Sequence, residues 1–126
     1  MVILEFYHMN LIYFFKSYLL YKSIKIDIWS FGVLIWEILT LGAKPYPAMG
    51  NREVMQYVRS GGRLEKPGGL FLNHSDNISD PVSSVITPER LHYIMTSCWS
   101  QLPDNRPTFK RCVMEIENLK AGENIL

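Results

Sequence analysis

Apolar residues recur with helical spacing in four stretches of the chain. The first covers residues 27–41. Ile28, Phe31, Ile35, Trp36 and Leu39 follow the i, i+3, i+4, i+7 rule, and Val33, Leu34 and Ile38 fill the opposite side. A helix this apolar all round requires a surrounding body to bury it. Asp27 suits an N-cap, Gly42 a C-terminal stop, and Pro45 and Pro47 forbid continuation. A second helix is predicted from Asn51 to Ser60, with Asn51 as cap. Val54, Met55 and Val58 form its narrow stripe, Arg52, Glu53, Gln56 and Arg59 its outer face, and Gly61-Gly62 its end. The third has the clearest start, with Thr87 as cap and Pro88 at the first helical position. Leu91, Ile94, Met95 and Cys98 share one face, and Trp99 comes directly after. The fourth runs from Pro107 to Lys120 with Phe109, Cys112, Val113, Ile116 and Leu119 as its stripe, and stops at Gly122. No internal repeat and no strand pattern emerges, so the expected fold is mostly α, with four main helices.

The flanks and the middle divide the chain further. Residues 1–21 are apolar but interrupted by Glu5, His8, Asn10 and Lys16, so no unbroken stretch reaches the ~18 residues of a membrane span. The early Glu5 and the missing small-residue cleavage site argue against a secretory signal. The segment lacks a clean helical period and reads as foreign to the rest of the chain, as a misplaced start or read-through of non-coding sequence would. A helical domain is expected over 22–120, with a short tail at 121–126. Residues 65–86 read as a polar, disordered surface insertion, because loops of that length are uncommon in compact domains. It carries two glycosylation-like tripeptides, Asn73-His74-Ser75 and Asn77-Ile78-Ser79, a pattern polar loops often match by chance.

Bulk properties narrow the function classes. Hydrophobic residues at 48% and charged residues at 20% indicate a globular chain. A net charge of +1 leaves no electrostatic case for nucleic acid or acidic membranes. Cys98 and Cys112 fall on apolar helix faces, read as buried thiols in a reducing compartment; their spacing supports neither a disulfide nor a metal site. His8, His74 and His92 show no metal spacing. Read as residues alone, Asp27 is a helix cap, Arg106 a surface charge, Trp29, Trp36 and Trp99 core aromatics, and Tyr46 a turn residue between prolines.

Six ordered blocks carry more than helix-forming pattern. They are Asp27-Ile28-Trp29-Ser30-Phe31-Gly32-Val33-Leu34-Ile35-Trp36-Glu37, then Gly42-Ala43-Lys44-Pro45-Tyr46-Pro47, Asn51-Arg52-Glu53-Val54, Gly61-Gly62-Arg63-Leu64, Cys98-Trp99 and Pro103-Asp104-Asn105-Arg106-Pro107-Thr108-Phe109. Together they resemble the C-terminal lobe of a receptor tyrosine kinase, of the sevenless/ROS type near the insulin-receptor group, over about residues 22–120 without the insertion. The resemblance implies a partial kinase lobe in which Asp27, Trp29, Gly32, Trp99 and Arg106 hold structural motif positions. In such kinases the aspartate at the position of Asp27 accepts hydrogen bonds from the catalytic-loop backbone. The arginine at the position of Arg106 pairs with a glutamate ending the activation segment. The region of the second helix contributes to docking of protein substrates. The parent would be a single-pass plasma-membrane receptor with this region on the cytoplasmic side.

Phosphoryl transfer needs positioning and charge neutralisation around the γ-phosphate, and the sequence lacks the parts that supply them. There is no Gly-x-Gly-x-x-Gly, no Val-Ala-Ile-Lys-like strand, no His-Arg-Asp, no Asp-Phe-Gly and no Ala-Pro-Glu. No catalytic, cofactor-binding or metal-binding residue is therefore assigned; ATP and magnesium belong to the full-length parent. The leading expectation is a partial tyrosine kinase, inactive alone, whose bare central helix makes it self-associate or fold poorly. Its partners would be those of the parent, protein substrates or other kinases. The alternatives are a non-catalytic helical interaction module derived from such a lobe and, more weakly, a membrane-associated protein anchored through residues 1–21.

Overall fold

A computed structural model describes residues 2–67 and 88–121. The Thr87 cap, most of the 65–86 insertion with both glycosylation-like tripeptides, the Gly122 stop and the tail lie outside the described residues. Among the described residues four helices appear, α1 (Val2–Leu39), α2 (Asn51–Arg59), α3 (Pro88–Cys98) and α4 (Phe109–Ala121), with one 3-10 turn, Pro103–Asn105, before α4.

α1 corrects the expected start at Asp27. The helix is 38 residues long and runs without a break through residues 21 and 22. No proline occurs in α1, and Gly32 is its first glycine, so nothing interrupts the hydrogen-bond ladder. Asp27 therefore sits mid-helix, where the preceding turn supplies acceptors and a cap has no orphan donor to satisfy. Despite its length, no helix among the described residues is long and apolar enough to cross a membrane.

Among the described residues, one side of α1 meets the other helices. Ile28, Gly32 and Leu39 are buried, whereas Leu34 is 50% and Ile38 62% exposed. α3 packs across the buried side and brings Ile94, Met95, Cys98 and Trp99 into the core; α4 adds Cys112 and Leu119. In α4 the working stripe is Cys112, Ile116 and Leu119. Val113, expected on it, is 49% exposed, since one residue along a helix turns about 100° away from a neighbour. Phe109 reaches back to α1, its ring edge-on to Phe31 at 5.7 Å. α2 is an outlying helix with no fully buried residue.

The helix ends show how turn chemistry positions the segments between them. α2 is preceded by Gly50 rather than capped by Asn51; the Glu53 carboxylate accepts from the Gly50 N–H at 2.8 Å, the return half of a capping box. It closes with the Gly62 N–H donating to the Tyr57 carbonyl at 2.8 Å while Gly61 takes φ +99°, the left-handed geometry of a Schellman turn. α1 ends the same way, Gly42 N–H to Glu37 carbonyl at 2.8 Å, but here Leu41 takes the left-handed position at φ 56°. The chain leaving Gly62 then crosses α1, where the Trp36 indole N–H donates to the Glu65 carbonyl at 2.8 Å and Leu64 is buried.

Candidate functional site

The crossing of α1 by the segments after α2 and α3 creates a place where charge gathers on the core. Trp29 is half-buried on α1, and two guanidiniums lie 4.9 Å from its ring, those of Arg63 and Arg106. Each such contact is worth roughly 0.5–2 kcal/mol depending on desolvation. Arg63 is delivered by the Schellman turn of α2, Arg106 by the 3-10 turn that precedes α4.

Both arginines are anchored by carbonyls. Arg63 donates from Nε to the Trp99 carbonyl at 2.8 Å, from Nη1 to Val58 and Gly62 at 3.0 and 2.7 Å, and from Nη2 to the Gln101 side chain at 3.1 Å. It thereby satisfies carbonyls at the C-terminal ends of α2 and α3, where helix dipoles favour a cation. Arg106 donates from Nε to the Ser100 carbonyl at 3.0 Å and from Nη1 to the Lys25 carbonyl at 2.9 Å, and Lys25 Nζ donates back to the Arg106 carbonyl at 3.0 Å. Burial, and after it the neighbouring Arg63 charge, lowers the pKa of Arg106 from its usual value.

Two guanidiniums therefore flank one indole, and among the described residues neither meets a carboxylate. The two ion pairs found there lie elsewhere, Lys66 with Glu89 at 2.8 Å and Arg111 with Glu115 at 2.6 Å. Nor do the described residues hold a group of three His, Cys, Asp or Glu suited to a metal. A site built of cations that donate to backbone carbonyls does not fit a magnesium–nucleotide pair, which needs carboxylates for its metal.

The five motif positions fall into three groups. Trp29 and Arg106 meet in this stack. Gly32 and Trp99 meet one helical turn further along α1, where a Cβ on Gly32 would lie 2.6 Å from Trp99 Nε1 and 2.9 Å from Cys98 Cβ. Trp99 Nε1 is buried with no hydrogen-bond partner among the described residues. Asp27 stands apart, exposed on α1. The reading of Arg106 as a surface charge is corrected: it is half-buried, and its partners are carbonyls. Sequence reasoning assigned no role to Arg63 or Lys25. A basic residue directly after a glycine stop could have flagged Arg63, because such residues meet exposed C-terminal carbonyls; Lys25 carries no such signal.

Tyr46 is held with φ 50° between its prolines, half-buried and edge-on to Tyr57 at 6.0 Å. Burial raises its pKa, an effect opposed by the Arg63 charge.

Comparison with known proteins shows the family. Residues 15–116 match the protein tyrosine and serine/threonine kinase family. The chain is 49% identical over 85 residues to the proto-oncogene tyrosine-protein kinase ROS of Homo sapiens, covering 68% of this chain and 3% of that protein. It is 51% identical over 83 residues to the transforming protein ros of UR2 avian sarcoma virus, covering 66% of this chain and 16% of that protein. Protein sevenless of Drosophila virilis is 38% identical over 99 residues, 79% of this chain and 3% of that protein. The chain thus spans a small part of each of these three relatives. A mostly α-helical piece of kinase C-terminal lobe, it belongs to the protein tyrosine and serine/threonine kinase family.

Proposed function

We propose that this chain forms the supporting part of a receptor tyrosine kinase's C-terminal lobe, one that positions catalytic segments supplied from outside residues 1–126 and transfers no phosphate by itself. The observation that carries the reading is the Arg63–Trp29–Arg106 stack, whose guanidiniums lack a carboxylate among the described residues. Arg106 is already held in place by the Ser100 and Lys25 carbonyls and awaits a glutamate ending the activation segment. Asp27, exposed on α1, awaits backbone donors of the catalytic loop. In the parent, ATP and magnesium would supply the phosphoryl chemistry, protein tyrosines would be the acceptors, and the lobe would lie on the cytoplasmic side of a single-pass receptor.

The test is a chimera in which residues 22–120 replace the matching segment of the human ROS kinase domain. The chimera is expected to phosphorylate a tyrosine peptide with ATP, and its Arg106→Ala variant to lose at least tenfold in kcat/KM, since stranding one partner of a buried ion pair costs ~3–5 kcal/mol. A folded but inactive chimera overturns the reading. So does kinase-like phosphate transfer by the 126-residue chain alone.

The same reading makes the isolated chain self-associate. Leu20, Ile24, Leu34 and Ile38 are all at least 40% exposed and fall on one line of α1 with Asp27 and Phe31 at alternating four- and three-residue steps. That is the spacing of a helix-pairing seam. Sedimentation velocity is expected to show concentration-dependent oligomers that shift toward monomer in Leu34→Glu and Ile38→Glu. A monomeric wild-type chain with a sharp cooperative melt contradicts this.

A further inference from the structure

Two sulfur atoms that the sequence separates by 14 positions lie 3.8 Å apart. Cys98 is the last residue of α3 and Cys112 lies in the first turn of α4; they are 0% and 1% exposed, and both are free thiols. A disulfide requires the sulfurs to approach by only about 1.8 Å, to a bond of roughly 2.0 Å. The rest of the core cluster, Ile28, Met95 and Trp99 among it, surrounds the pair.

We propose that Cys98 and Cys112 form an oxidisable pair that closes into an intramolecular disulfide, stapling α3 to α4, with a peroxide as oxidant. The step balances in two stages. The thiolate of one cysteine attacks one peroxide oxygen, the O–O bond breaks, and hydroxide leaves to take up a proton as water; that cysteine becomes a sulfenic acid. The sulfur of the other cysteine then attacks the sulfenic sulfur, the S–S bond forms, and the sulfenic oxygen departs as a second water with the second thiol's proton. Two thiols are oxidised to one disulfide, and one peroxide is reduced to two waters.

Burial, then the neighbouring Cys112, pushes the Cys98 thiol up to about 12, and burial raises Cys112 as well, so neither is a ready thiolate while the helices are packed. Because both sulfurs are buried, peroxide reaches them only when α3 and α4 part, so oxidation records that opening. Closure has a defined consequence. Trp99 and Ser100, directly after Cys98, supply the carbonyls that hold Arg63 and Arg106. A disulfide at Cys98 fixes both anchors to α4.

The test treats the full 126-residue chain with hydrogen peroxide under native conditions, then blocks free thiols with iodoacetamide in denaturant and digests with trypsin. Trypsin cuts after Arg90, Lys110, Arg111 and Lys120 but not between Arg106 and Pro107. The expected product joins peptide 91–110 to peptide 112–120, arises within a monomer that has lost two hydrogens, and separates on reduction. In Cys98→Ser and in Cys112→Ser, dimedone is expected to trap a sulfenic acid on the cysteine that remains. Two alkylated cysteines in a sample whose exposed Met55 and Met114 are fully oxidised, or disulfides only between chains, overturn the pair.

Discussion

The Trp99→Ala chain is expected to lose about 3–5 kcal/mol of stability, the range for emptying a buried tryptophan site. Trp99 is 2% exposed and stands where α1 meets α3, in contact with the cluster of Ile28, Met95, Cys98 and Cys112. Its backbone carbonyl also holds Arg63, so collapse around the cavity disturbs the guanidinium stack at the same time. Trp99→Phe should cost much less than the alanine variant. Phenylalanine fills most of the space, and it removes an indole N–H that has no partner among the described residues. A buried donor left unpaired costs about 1–3 kcal/mol, and its removal offsets part of the lost volume. The check is urea unfolding monitored by far-UV circular dichroism, at a protein concentration held constant because association and folding are linked. If phenylalanine proves as damaging as alanine, packing volume is not what Trp99 contributes.

The Gly32→Ala chain is the second large effect, and its sign is the informative part. In an exposed helix interior, alanine in place of glycine stabilises by about 1 kcal/mol. Here the added Cβ lies 2.6 Å from Trp99 Nε1 and 2.9 Å from Cys98 Cβ. The indole could swing aside, but the Cys98 Cβ is fixed to the α3 backbone, so the two helices must separate. Overpacking of this kind costs about 1–3 kcal/mol, which outweighs the propensity gain. Combining Gly32→Ala with Trp99→Phe should be less damaging than the sum of the two, since the smaller ring relieves one of the clashes but not the contact with Cys98. A Gly32→Ala chain more stable than the parent would mean that α1 and α3 do not approach this closely.

These two sites show how far sequence reasoning reaches. The four helices were legible because apolar spacing and helix stops are local signals. Pro88 at the start of α3 and Gly61 at the end of α2 appear where turn chemistry places them. The motif blocks also carry the resemblance to a kinase lobe, and the family match over residues 15–116 agrees with that resemblance. The misses are equally specific. Asp27 looks like a cap because caps are recognised by residue type, yet nothing upstream of it breaks the helix, and α1 continues back to Val2. Val113 fits a helical stripe in sequence but faces outward, because periodicity defines a face without saying which edge of it meets a partner.

The chain's own residues, taken in order, determined which segments are helical, where turns interrupt them, and which family the pattern resembles; backbone propensity and side-chain spacing act over a few residues and need no partner. Tertiary structure alone decided that Arg63, Trp29 and Arg106 meet, that Gly32 receives Trp99, and that Cys98 and Cys112 come within 3.8 Å. Those contacts depend on the relative placement of helices packed through one shared core. Placement of that kind is set by the sum of many weak contacts between distant segments, which no local stretch of sequence contains.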